Sequence, residues 1–176
     1  MEGYFVPECY FDTVLVKAIL KEKLIVNHKK GCNNVIKSMS DGRLKDQFAV
    51  GIIDKDKNKL DYLKKFDMYE FPPHLILYNY KKKNHFVIQL SPPLEEWLLM
   101  VTIEAKINIV EYGLPSDIEK LKKITKSELA DESNELRDLC NALLSSQSET
   151  IKRFANWIRY FRDKKHQSDI NELLNA

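Results

Sequence analysis

The sequence has no apolar run long enough to cross a membrane; its longest runs are broken within a few residues, well short of the ~20 residues that a bilayer requires. Cysteine is scarce as well. Cys9, Cys32 and Cys140 are odd in number and show no Cys-x-x-Cys spacing, which argues against a disulfide framework and against a zinc site. A reducing cytoplasm is the expected location. Met1-Glu2-Gly3 has no basic stretch leading into an apolar one, so no secretory signal is expected. Neither Gly-x-x-x-x-Gly-Lys-Ser/Thr nor Gly-x-Gly-x-x-Gly occurs, which removes support for triphosphate or dinucleotide binding through those loops. A Ser-His-Asp arrangement has no anchor, and there is no internal repeat or low-complexity linker. Charge of one sign does not dominate either. The formal net charge is +2, from 28 Lys and Arg against 26 Asp and Glu, too small to imply nucleic-acid binding without local clustering.

What is present is the composition of a folded chain. At 176 residues with 44% hydrophobic and 31% charged content, one sizeable core, or a core with a small appendage, is expected. Tyr4 to Val6 reads as a short strand ended by Pro7, and Phe11, Val14, Leu15, Ala18 and Ile19 follow at helical spacing. Leu24 to Val26 reads as a second strand, Val35 to Met39 as a second helix, and Asp41-Gly42 as a turn. The continuous run Phe48 to Ile53 ends in Asp54-Lys55-Asp56, the pattern of a parallel strand covered on both faces. Leu75 to Tyr80 and Phe86 to Leu90 read as two more strands around Lys81-Lys82-Lys83-Asn84, and Leu94, Trp97, Leu98 and Val101 share one face of a helix.

The expectation is therefore an α/β fold with a mostly parallel, Rossmann-like sheet flanked by helices over residues 1–112. A helical extension over 113–176 is expected to pack on it, because after Gly113-Leu114-Pro115 only helical patterns remain.

In open parallel sheets, ligands gather outside the carboxyl ends of the strands. Glu8 follows the first strand, Asp12 lies one helical turn beyond it, and Asp54 and Asp56 follow the third apolar strand. One or two such carboxylates, with water and phosphate oxygens, suit a hard cation such as Mg²⁺ or Mn²⁺. The competing reading is a helix cap by the acids after a strand and a solvated turn at Asp54 to Lys59.

These residues resemble a known family. Glu8-Cys9-Tyr10-Phe11-Asp12 at the end of strand one, Gly31 after strand two, and Gly51-Ile52-Ile53-Asp54-Lys55-Asp56 on strand three look like the TOPRIM domain, closest to the branch of the overcoming-lysogenization-defect (OLD) nucleases. The resemblance covers about residues 1–110 and implies a TOPRIM-like fold with Mg²⁺-dependent cleavage of phosphodiester bonds, in DNA processing or defence against foreign DNA. It implies that Glu8 serves in acid–base work or metal binding, that Asp54 and Asp56 hold metal, and that Asp12 matches an acid of the nuclease-like branch. Glu95 or Glu96 stands for a further acid of that branch. Cys9 departs from the pattern, in which glycine usually follows the glutamate.

Nucleic-acid contact would use Lys55 and Lys57 beside the aspartates, Lys81, Lys82 and Lys83 between two strands, and Arg153 and Arg159 among the basic and aromatic residues near Trp157 and Tyr160. DNA is favoured over RNA as the partner. A protein partner or a homodimer stays open, and His28 is a lesser candidate. The alternative function is a non-catalytic nucleic-acid-binding or partner-binding module with a vestigial acidic site. A phosphoacceptor receiver domain also places acids after strands one and three, but maps poorly here.

Overall fold

The computed structural model describes residues 3–21, 25–55 and 61–174. Strand β1 (Phe5–Pro7) leads into helix α1 (Tyr10–Leu20), and helix α2 (Cys32–Ser40) precedes strand β2 (Ala49–Asp54). A 3₁₀ turn (Asp61–Lys65) is followed by three strands: β3 (Asp67–Phe71), β4 (Leu75–Tyr80) and β5 (His85–Leu90). Beyond them the chain is helical: α3 (Leu94–Glu104), α4 (Ile118–Thr125), α5 (Asn134–Ser145), α6 (Glu149–Lys164) and α7 (Ile170–Leu174).

The five strands form one sheet in the order β1-β2-β5-β4-β3. β2 is parallel to both of its neighbours, with Gly51 opposite Val6 on one side and Val87 on the other. β4 is antiparallel to β5 and to β3. Every residue of β2 is buried, as its continuous apolar sequence requires. Side-chain alternation divides it between two cores. Val50 and Ile52 pack with α1, α3, α5 and α6 on one face, while Ala49 and Ile53 pack with Val35, Ile36 and Met39 of α2 on the other. Gly51 lets α2 approach closely, because a Cβ there would lie 2.9 Å from Met39 Sδ and 3.1 Å from Val35 Cγ1.

The mostly parallel, Rossmann-like and TOPRIM-like sheet expected from the sequence is not the sheet that forms. The described chain is mostly helical, 54% helix against 16% strand, with a small mixed sheet. The reason lies in β3, whose sequence Asp67-Met68-Tyr69-Glu70-Phe71 has no buried residue. It pairs with β4 along its whole length, with only Tyr69 and Phe71 packed partly against the core, and with the β4–β5 hairpin it makes half of the sheet antiparallel. The expected second strand is reduced as well. Leu24 lies outside the described residues, and Val26 makes a single parallel bridge to Phe5.

The larger core crosses from the sheet into the C-terminal helices without a break, joining Phe86 and Ile88 to Leu136, Leu139, Phe154 and Phe161. Among the described residues no helix is long and apolar enough to cross a membrane.

Candidate functional site

β1 and β2 run in parallel, so both deliver their carboxyl ends to the same edge of the molecule. The amide of Glu8 donates to Ile52 O at 2.9 Å, which fixes Glu8 beside the end of β2. Its Oε2 accepts from the Asp54 amide at 2.9 Å and from the Cys32 thiol at 2.7 Å. One carboxylate thus ties together the ends of β1 and β2 and the start of α2.

Cys9 caps α1 in a reciprocal arrangement with Asp12. Cys9 Sγ accepts from the Asp12 amide and Asp12 Oδ2 accepts from the Cys9 amide, each at 3.3 Å. This is a capping box in which cysteine and aspartate take the usual places of serine and glutamate. Glu95, in the first turn of α3, is buried and accepts from Thr125 Oγ1 at 2.7 Å, which joins α3 to the end of α4. Asp54 is 8% exposed and Asp12 1% exposed, and an oxygen of each, Oδ1, has no hydrogen-bond partner among the described residues.

Crowding of acids in a dry site favours their neutral forms. Burial, then the charges of Glu8 and Glu95, push Asp54 up to about 7, against the opposing pull of Lys126 and the Leu94 amide. Asp12 is raised by burial and then by Asp54. The Cys9 thiol is raised by burial and by Asp12, and so is that of Cys140.

The structure therefore brings together Glu8, Asp12, Asp54 and Glu95. Glu96 is exposed and stands apart from them, while Asp56 and Lys57 lie outside the described residues. Among the described residues no group of three or more His, Cys, Asp or Glu side chains is arranged to hold a metal ion. Glu8, Asp12 and Glu95 each commit an oxygen to the protein's own donors, and Asp56, the other expected ligand of Mg²⁺ or Mn²⁺, is outside the described residues.

A cleft of about 180 Å³ opens on this edge, lined by Glu8, Cys9, Tyr10, His28, Lys30, Gly31, Asp54 and Lys126. Tyr10 and His28 stack, with ring centroids 4.1 Å apart and planes inclined by 28°. Burial lowers the pKa of His28, more than a hydrogen bond with the backbone of Glu8 raises it. Cys32, Thr125 and Lys126 were not legible as site residues. Thr125 and Lys126 come from a helix far away in sequence, and no local pattern marks them.

The basic candidates are scattered. Lys55 and Lys82 are exposed, Lys81 lies 3.8 Å from Asp67, and Lys83 pairs with Asp46. Lys81, Lys82, Lys83, Asn84 and His166 line a broad cleft of about 550 Å³. Arg153 covers the Phe71 ring at 5.2 Å, and Arg159 is exposed. Trp157 is buried edge-on against Phe71, so the C-terminal aromatic stripe is mainly core.

No known family profile, curated protein or solved structure matches the chain. The resemblance to the TOPRIM domain rests on the residues named above.

Proposed function

We propose that the chain is a non-catalytic nucleic-acid-binding module in which the acidic cluster braces the strand ends. The observation that carries this reading is the engagement of the acids by internal donors. Glu8 accepts from Asp54 and Cys32, Asp12 from Cys9, and Glu95 from Thr125. Metal-assisted phosphodiester cleavage needs ligands that converge on an ion and leave room for water and substrate. Basic groups stand in open clefts instead. His28, Lys29, Lys30 and Lys37 line one of about 380 Å³ together with Asp41, and Lys81, Lys82 and Lys83 outnumber Asp46 in the broad one. Such surfaces suit phosphate backbones, and DNA stands before RNA as the partner. The three cysteines are buried and form no disulfide, which accords with a cytoplasmic location.

A second reading, the Mg²⁺-dependent nuclease, is favoured by one observation: the unpartnered Oδ1 atoms of Asp12 and Asp54. Labelled single-stranded and duplex DNA and RNA, incubated with the purified chain with and without Mg²⁺ or Mn²⁺, separate the two. Salt-sensitive binding without cleavage is the expected result. Metal-dependent cleavage that Glu8→Gln or Asp54→Asn abolishes would overturn the binding-module reading in favour of the nuclease.

A further inference from the structure

The cleft at the strand ends has two chemically different sides. Glu8 and Asp54 contribute carboxylates, whereas Lys30, Lys126 and the Gly31 N-cap of α2 contribute positive charge. A bare cation is disfavoured by the lysines, and a bare phosphate by the acids. A ligand that satisfies both sides carries neutral N–H donors at one end and negative charge at the other. The stacked Tyr10 and His28 rings line the same cleft and suit a flat, conjugated group. At about 180 Å³ the space is smaller than the ~300–1,000 Å³ of a drug-sized site. A cavity of ~150 Å³ admits benzene, so one small ring system is the matching occupant.

We propose that this cleft receives a single amino-bearing nucleobase, cytosine being the smallest, stacked against the Tyr10–His28 pair. Its amino edge turns to Glu8 and Asp54, and its phosphate to Lys30 and Lys126. The inference rests on the nucleic-acid-binding reading and deepens it, since the acids that brace the strand ends would also read the base. Carboxylates accept from the cytosine amino group. Uracil places a carbonyl at the same position and meets repulsion from the ionised carboxylates, so the preference is read at pH 8, where Asp54 has lost its proton. The base comes either from a free nucleotide or from an unstacked position in a single strand, and the two sources share this chemistry.

Calorimetric titration of the full chain with cytidine monophosphate, uridine monophosphate, inorganic phosphate, oligocytidylate and oligouridylate tests the proposal. Cytidine monophosphate is expected to bind at least tenfold more tightly than uridine monophosphate, and inorganic phosphate more weakly than either. Lys126 is exposed, so Lys126→Ala should fold normally, weaken both nucleotides several-fold and preserve the preference between them. Asp54→Asn presents an N–H to the incoming carbonyl and should erase the preference. Equal affinity for the two nucleotides, or an unchanged preference in folded Asp54→Asn, overturns the proposal. Strand binding with no mononucleotide affinity and no response to Tyr10→Ala overturns it too, while leaving the binding-module reading intact. Selective binding of cytidine monophosphate with no affinity for strands supports the cleft assignment and overturns the nucleic-acid reading in favour of a free nucleotide.

Discussion

Asp54 concentrates the tension of the site. It ends a fully buried strand, and its carboxyl is held near 7 chiefly by burial, then by Glu8 and Glu95. Between about pH 4 and about pH 7 the folded chain keeps this proton while the unfolded chain, with an ordinary value of 3.8, has lost it. The unfolded state binds fewer protons in that window, so stability falls as pH rises through it and levels off above about 7. The total loss is on the order of a few kcal/mol. Asp12 is shifted in the same direction, first by burial and then by Asp54. Urea unfolding followed from pH 4 to pH 8 should show this decline. Asp54→Asn, which cannot ionise and can still accept from the Leu94 amide, should flatten it and be more stable than the wild type at pH 8. An unchanged slope in that variant would mean that Asp54 is already ionised in the folded chain. Glu8, Asp12 and Asp54 could be singled out from the sequence because each sits within a few residues of a strand end. Their burial and internal hydrogen bonds could not, since these depend on Cys32, Glu95, Thr125 and Lys126, brought in from three other places in the chain.

At the scale of elements, legibility followed local patterning. The two β-prone runs around Lys81 to Asn84 mark strands joined by a hairpin or by a protruding basic turn, and the structure makes them the hairpin β4–β5. The Phe48 to Ile53 run marks a strand covered on both faces and flanked by parallel neighbours, which β2 is. β3 escaped because an edge strand with one partner and no buried side chain carries no apolar signature. With it went the mixed character of the sheet. The helix junctions were equally hidden. Glu104, at the end of α3, accepts from the Thr150 amide at 3.1 Å, placing its charge on the first turn of α6. Burial alone would raise Glu104, but hydrogen bonds from Thr150, Ser148 and Glu149 outweigh it and hold the group below its ordinary 4.5. A carboxylate at a helix N-terminus contributes ~0.3–1 kcal/mol. Glu104→Ala should therefore destabilise the chain by about 1 kcal/mol at pH 7. Because a depressed carboxyl stabilises only while ionised, that difference should shrink as pH falls below 4.5. Chemical denaturation at pH 7 and pH 3.5 reads it directly, and an equal loss at both would assign the effect to packing.

The molecule as a whole turns on α1. Eight of its eleven residues are buried, from Phe11 to Val16 together with Ile19 and Leu20, so it is covered nearly all round rather than along one stripe. The sheet accounts for one side. The rest is covered by the C-terminal helices, and Leu136, Leu139, Leu143, Phe154, Trp157 and Phe161 belong to the same core as Phe11 and Leu15. Removing residues beyond 112 would bare these contacts on α1 and on the sheet at once. Large apolar surfaces exposed in this way favour compact states without fixed packing. A 1–112 fragment should therefore bind a hydrophobic dye, give poorly dispersed NMR spectra and unfold without a sharp transition, whereas the full chain unfolds in one step. A cooperatively unfolding fragment with dispersed spectra would show that the sheet and α3 suffice on their own. The acidic edge gives this experiment a second reading. Lys126 and Thr125 both lie beyond the cut and face Asp54 and Glu95. A fragment that did fold would lose part of the cover that is the main cause of the Asp54 shift, so its pH-dependent decline should be shallower than in the full chain.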